Sequence, residues 1–173
     1  MGHDEHRRRG PAQVGTAVVT VSDTRTPATD RSGKLIQRLL TKARHTVLDY
    51  RILPDDPPRI RRTLRSLGRD PRIQAVILTG GTGVSPRDRT FEAVQGLLTR
   101  KLEGFGEIFR MLSYREVGSA AFLSRALAGI YRDKAVFALP GSEKAVRLAM
   151  EKLILPELGH LAYEIGKKSP PAH

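Results

Sequence analysis

A run of apolar residues, Ala75-Val76-Ile77-Leu78, leads straight into Thr79-Gly80-Gly81-Thr82-Gly83, and a helix-like segment opens near Thr90. This order of strand, glycine-rich turn and helix constrains the chain more than any other feature, because it is how α/β proteins build anion sites. Glycine lets the backbone turn sharply and approach a ligand with no Cβ in the way. The N–H groups of the turn and of the helix start then face an anion. Ser85-Pro86-Arg87-Asp88 follow the glycines, so the loop carries charge as well as shape. It is not a Walker A loop, since no Gly-Lys-Ser/Thr follows at the required spacing. It is not a dinucleotide fingerprint either, because Pro86 stands where the third glycine belongs. A tight strand-to-loop turn with no ligand is the plain alternative.

The rest of the first half repeats the rhythm. Residues 16–21 (TAVVTV) read as a short buried strand, followed by a polar loop from Ser22 to Arg31. Leu35, Ile36, Leu39 and Leu40 form a helical stripe ending near Lys42. Residues 45–53 read as a second strand. Pro54-Asp55-Asp56-Pro57-Pro58 form a turn whose last prolines suit the first turn of a helix, with Ile60, Leu64 and Leu67 on its apolar face. Residues 74–79 are the third strand. Strands alternating with helices argue a three-layer α/β/α fold with a mostly parallel central sheet. Ligands in such folds bind outside the carboxyl ends of the strands. Ser22-Asp23, Asp55-Asp56 and the loop 80–88 then share one edge of the sheet.

The second half is less regular. Helices are expected over residues 91–98, 105–117, 145–155 and 158–165. Two short strands are expected within residues 123–139, around Arg132-Asp133, with Pro140-Gly141-Ser142 closing the last strand. Residues 1–13 read as a flexible arm, 14–166 as one domain and 167–173 as a tail.

Composition narrows the chemistry. The 173 residues suffice for one good core, and no apolar run approaches the ~20 residues of a membrane span. There is no cysteine, which excludes disulfides, thiol nucleophiles and Cys-ligated metals and agrees with a cytoplasmic location. The net charge of +12 favours polyanionic partners. The histidines show no metal-ligand spacing. Arg59, Arg61, Arg62, Arg65, Arg69 and Arg72 crowd one helix and its exit, which raises a nucleic-acid-binding module as a competing class. Aromatics at 5% and the absence of any RNA- or DNA-reading motif weigh against it.

Several ordered pieces carry a resemblance: Val21-Ser22-Asp23, Asp30-Arg31-Ser32-Gly33, Pro54-Asp55, Thr79-Gly80-Gly81-Thr82-Gly83, Ser85-Pro86-Arg87-Asp88-Arg89-Thr90, Gly104-Phe105-Gly106-Glu107, Leu123-Ser124-Arg125 and Leu139-Pro140-Gly141-Ser142. Together, over residues 16–158, they resemble the molybdenum-cofactor biosynthesis family of the MoaB/MogA type. The run 104–107 and Gly141-Ser142-Glu143-Lys144-Ala145 are closer to the MoaB branch. The resemblance implies the molybdopterin-binding fold, assembled as a trimer or a dimer of trimers. It implies Mg²⁺-dependent transfer of AMP from ATP to molybdopterin, with product handed to a metal-insertion enzyme. It places the catalytic carboxylates, and tentatively the Mg²⁺ ligands, on Asp55 and Asp88. Substrate contacts fall on Ser22, Asp23, Thr79, Gly80, Gly81, Thr82, Gly83, Ser85, Arg87, Ser124, Pro140, Gly141 and Ser142. A catalytically silent molybdopterin-binding scaffold is the second reading; the Arg87-Asp88 pair argues for the active enzyme.

Each residue also has a purely structural reading. Asp55, Asp56 and Asp88 suit helix N-caps. Ser22-Asp23 suits a turn closing the first strand. Arg87 and Arg125 suit surface ion pairs.

Overall fold

The computed structural model describes residues 10–167; residues 1–9 of the expected arm and 168–173 of the expected tail lie outside the described residues. The elements are β1 (Gly15–Val21), α1 (Arg31–Lys42), β2 (Thr46–Leu53), α2 (Pro57–Leu67), β3 (Ala75–Thr79), α3 (Thr90–Gln95), β4 (Arg100–Lys101) and α4 (Glu103–Val117). A 3₁₀ turn (Gly118–Leu123), β5 (Leu127–Tyr131), β6 (Lys134–Leu139), α5 (Glu143–Ala149), a π-helical turn (Met150–Ile154) and α6 (Leu155–Gly166) complete the chain.

The six strands form one sheet in the order β2-β1-β3-β6-β5-β4. β2, β1, β3 and β6 run parallel, while β5 and β4 are antiparallel additions. β1, β3 and β6 are almost wholly buried, as their unbroken apolar runs require of parallel strands covered on both faces. On one face Val18, Ile77 and Phe137 pack against Ile36 and Leu40 of α1, Phe109 of α4, and Met150 and Leu158 of the C-terminal helices. On the other, Val19, Leu78 and Ala138 pack against Ile60 and Leu64 of α2 and Val94 of α3. The result is three layers. Gly10 and Pro11 lie against Gly159 of α6, where a Cβ on Gly10 would come within 2.4 Å of the Gly159 backbone.

The second half departs from the sequence expectation in three places. The helix expected over 91–98 ends at Gln95, because Gly96 caps it. Two elements were not anticipated: the two-residue β4 and the 3₁₀ turn before Ser124. The helices expected over 145–155 and 158–165 are one continuous helical run with a π turn in the middle, where the Leu155 N–H bonds the Met150 carbonyl. Pro156 supplies the reason: it has no N–H for the ladder, and a wider turn absorbs the missing bond without a break. The hairpin between β5 and β6 turns as expected at Arg132 and Asp133, both with positive φ (47° and 57°).

Candidate active site

Parallel register delivers four loops to one place. Val21 pairs with Leu53, Thr20 with Thr79, and Thr79 with Leu139, so β1, β2, β3 and β6 end side by side. β1 connects outward to β2 while β3 leads to the other half of the sheet, which makes the β1/β3 boundary the switch point where α/β sheets open a crevice. A polar cleft of about 590 Å³ lies there. Its walls include Ser22, Thr79, Gly80, Gly141 and Ser142, five of the candidates, together with Arg25, Asp30 and Arg31, which the sequence alone did not assign to the site.

The loops lock to one another through their backbones. Ser22 N–H donates to the Leu53 carbonyl at 2.7 Å, and Gly80 N–H to the Leu139 carbonyl at 3.0 Å. The Thr79 hydroxyl is committed to the Pro140 carbonyl at 3.0 Å. Gly80 and Gly81 have φ of 99° and 65°. Glycine is needed at both: a Cβ on Gly80 would lie 2.2 Å from the Val21 carbonyl oxygen, and one on Gly81 would lie 2.2 Å from both Asp55 Oδ2 and Thr90 Oγ1.

The floor of the cleft is a buried carboxylate. Asp30, 1% exposed, caps α1 by accepting from the Gly33 N–H at 2.9 Å. It also accepts from the Thr20 hydroxyl at 2.6 Å and the Tyr50 phenol at 2.5 Å. Three donors are what a buried charge requires. Burial, then the Asp30 carboxylate, push the Tyr50 phenol well above its ordinary range. Ser32 joins this floor to the β6 loop by donating to the Gly141 carbonyl at 2.7 Å. The motif Asp30-Arg31-Ser32-Gly33 was visible in the sequence, but only the fold shows that it underlies the cleft.

The acidic candidates lie beyond the glycines. Asp56, not Asp55, caps α2 by accepting from the Arg59 N–H at 3.2 Å. Asp55 turns instead to the glycine loop and accepts the Arg89 N–H at 3.2 Å. Its own N–H donates to Asp23 at 3.1 Å, and Asp23 pairs with Arg87 at 2.9 Å. Asp88 does not cap α3, whose N-cap position is Arg89; it accepts the Ser85 N–H inside the loop at 3.1 Å. Burial, then the charges of Asp88 and Asp23, raise the Asp55 carboxyl above the ordinary aspartate range, against the pull of the Arg89 N–H. Ser85 and Asp88 line a recess of about 400 Å³ with Arg61, Arg89 and Arg125.

The remaining candidates divide further. Ser124 lies beside a third recess of about 350 Å³, lined also by Phe109, Pro140 and Lys144. Its Oγ is buried with no hydrogen-bond partner among the described residues. Thr82 is buried. Ser22 Oγ closes a turn by accepting from Arg25 N–H at 3.1 Å, and Ser142 caps α5. Both therefore fill their structural roles while bordering the cleft.

A family model described as "Probable molybdopterin binding domain" matches residues 17–160. This chain belongs to that family. Within it, the molybdenum cofactor biosynthesis protein B of Bacillus subtilis is 49% identical over 168 residues, 96% of this chain and 99% of that protein. A crystal structure of a molybdenum cofactor biosynthesis protein B superposes with a TM-score of 0.89 at 48% identity, covering 92% of this chain and all of that one. The tungsten cofactor synthesizing protein MoaB from Pyrococcus furiosus superposes at 0.82 with 37% identity, covering 91% of this chain and 99% of that one. Family membership places the chain in molybdenum cofactor biosynthesis, on the fold expected for it.

Proposed function

We propose that this protein transfers AMP from ATP to the terminal phosphate of molybdopterin and releases pyrophosphate. The observation that carries the reading is the convergence, at one sheet edge, of a polar cleft bordered by Arg25 and Arg31 with a cluster of carboxylates around the glycine loop. An oxygen of the molybdopterin phosphate attacks the α-phosphorus of ATP. A new P–O bond forms, and the bond to the β-bridging oxygen breaks with its electron pair leaving on pyrophosphate. No protein nucleophile is required, in keeping with a chain that has no cysteine. The work of the protein is to hold two anions in contact and stabilise the charge that develops.

Ser22, the glycine turn and the Pro140-Gly141-Ser142 turn are positioned to take phosphate and pterin groups. Asp55 and Asp88 fit a Mg²⁺ ion by the chemistry of their donors. Among the described residues no three acidic or imidazole groups are placed to hold a metal ion by themselves, but Mg²⁺ is usually held by one or two carboxylates with phosphate oxygens and water completing the shell. Burial, and after it the charges of Asp88 and Asp23, lift Asp55, and a divalent cation would offset both costs. When bound, the ion supplies charge neutralisation on the triphosphate. We propose further that the protein acts in the cytoplasm as a homo-oligomer, in keeping with the exposed apolar side chains of α4. Among the described residues no helix is long and apolar enough to cross a membrane.

The test is direct: protein, molybdopterin, ATP and Mg²⁺, with pyrophosphate and adenylylated pterin followed beside Asp88→Ala. Product from the parent and none from the variant is expected. Tight molybdopterin binding with no product would make the chain a silent scaffold, and neither binding nor product would overturn the reading.

A further inference from the structure

We propose that Arg125 is a positioning residue that sets the geometry of both carboxylates, Asp55 and Asp88, by clamping the loop between them. The inference rests on the adenylyl-transfer reading above. Arg125 sits just after the 3₁₀ turn, far in sequence from the glycine loop, and its side chain reaches back to it. Nε donates to the Thr82 carbonyl at 3.1 Å. Nη2 donates to the carbonyls of Gly83 and, at 3.0 Å, Asp88. Nη1 pairs with the Glu92 carboxylate, and the guanidinium lies over the Phe91 ring, 5.1 Å from its centroid. One planar fork thus holds the loop at its entrance and at its exit.

The consequence lies in the peptide between Asp88 and Arg89. Its carbonyl is held by Arg125, and its N–H is held by Asp55 at 3.2 Å. Movement of that one peptide shifts Asp88 directly and Asp55 through its hydrogen bond. Inside the loop, Asp88 N–H bonds the Ser85 carbonyl at 2.9 Å while its carboxylate takes the Ser85 N–H, so the segment moves as a unit. Only a guanidinium can make this set of contacts. Its five N–H donors in a fixed plane reach three carbonyls and a carboxylate at once, whereas a lysine ammonium is a single point donor. The cleft residues Ser22, Gly141 and Ser142 lie outside the clamp, so pterin binding and carboxylate placement separate experimentally.

Two measurements test this, on the parent, Arg125→Ala and Arg125→Lys. The first is amide hydrogen exchange of residues 83–89 without substrates; exchange should accelerate there in both variants and nowhere in the sheet. The second is steady-state turnover. In Arg125→Ala kcat should fall on the order of 100-fold, the effect of about 1 Å of misplacement, with molybdopterin affinity retained. Added guanidinium should restore part of the loss, and Arg125→Lys should not escape it. Unchanged exchange in the loop overturns the clamp. Full turnover in Arg125→Lys shows that charge alone suffices and overturns the positioning role, as does a fall in turnover matched by lost pterin binding and early melting. If the parent itself releases no pyrophosphate, the adenylyl-transfer reading fails and the catalytic role of Arg125 fails with it, while the exchange result still decides the clamp.

Discussion

Two adjacent aspartates show how position on an element divides one residue type into two roles. Asp56 precedes Pro57-Pro58 and caps α2, a role its place before the prolines announces. Asp55, one residue earlier, carries a carboxyl raised by burial and by the charges of Asp88 and Asp23. A carboxyl with a higher pKa folded than unfolded holds its proton more tightly in the folded chain. Its ionisation therefore costs stability. The cost is absent below the unfolded value of about 4, grows as pH rises from there through the folded pKa, and is complete above it. Asp55→Asn keeps an acceptor for the Arg89 N–H and removes the charge. It should melt above the parent at pH 7, with the advantage shrinking to nothing as the pH is taken below that of ordinary aspartate. Mg²⁺ with ATP should raise the melting temperature of the parent and not of the variant, since a ligand stabilises only the state that binds it. A variant that melts below the parent at pH 7 would refute the assignment of Asp55 as a site carboxylate held at a cost. Asp30 stands apart by its hydrogen bonds: it accepts from three donors and so belongs to the framework that supports the cleft.

At the scale of elements, the glycine loop is where backbone conformation and chemistry meet. Gly81 has a φ of 65°, and a Cβ there would stand 2.2 Å from Asp55 Oδ2 and Thr90 Oγ1. Gly81→Ala should cost about 1–2 kcal/mol for the left-handed backbone alone, and more as Asp55 and the start of α3 are displaced. Chemical denaturation measures the loss, and turnover should vanish in the fraction that stays folded. Stability and turnover equal to the parent would mean that the loop does not hold Asp55 as described. Much of this was legible in the chain. Apolar runs marked β1, β3 and β6, and parallel strands leave their loops no choice but one edge, so Ser22, Asp55 and the glycines could be grouped without coordinates. What could not be read depends on contacts between distant segments. Arg125 reaches carbonyls some forty positions away, and nothing local distinguishes it from a solvated arginine. The two exposed residues of β4 carry no alternation to read. The π turn before Pro156 preserves a helix that a proline usually ends.

At the scale of the molecule, one feature of the surface remains unsatisfied in a single chain. α4 buries Gly106, Phe109 and Ser113 and turns Ile108, Met111, Tyr114 and Val117 outward, every third residue, as a ridge slanting along the helix. The 3₁₀ turn extends it with Phe122, 74% exposed, and Leu123. Contiguous apolar surface of this kind marks an interface, and a second copy of the chain is the occupant expected of a homo-oligomer. The net charge of +12 opposes such assembly at long range, so association of the parent should strengthen as salt screens the repulsion. Met111→Lys combined with Phe122→Lys places two more cations on the ridge while replacing no buried residue. The pair should sediment as a 19.1 kDa monomer with an unchanged circular dichroism spectrum, where the parent sediments as a multiple of that mass. Ser124, whose hydroxyl has no partner among the described residues, follows directly on Leu123. The ridge therefore ends at the recess between Phe109 and Lys144, and separation of the copies should lower turnover as well as mass. A parent that is monomeric at every salt concentration would remove the oligomer, and a monomeric variant with full turnover would show that the site is complete within one chain.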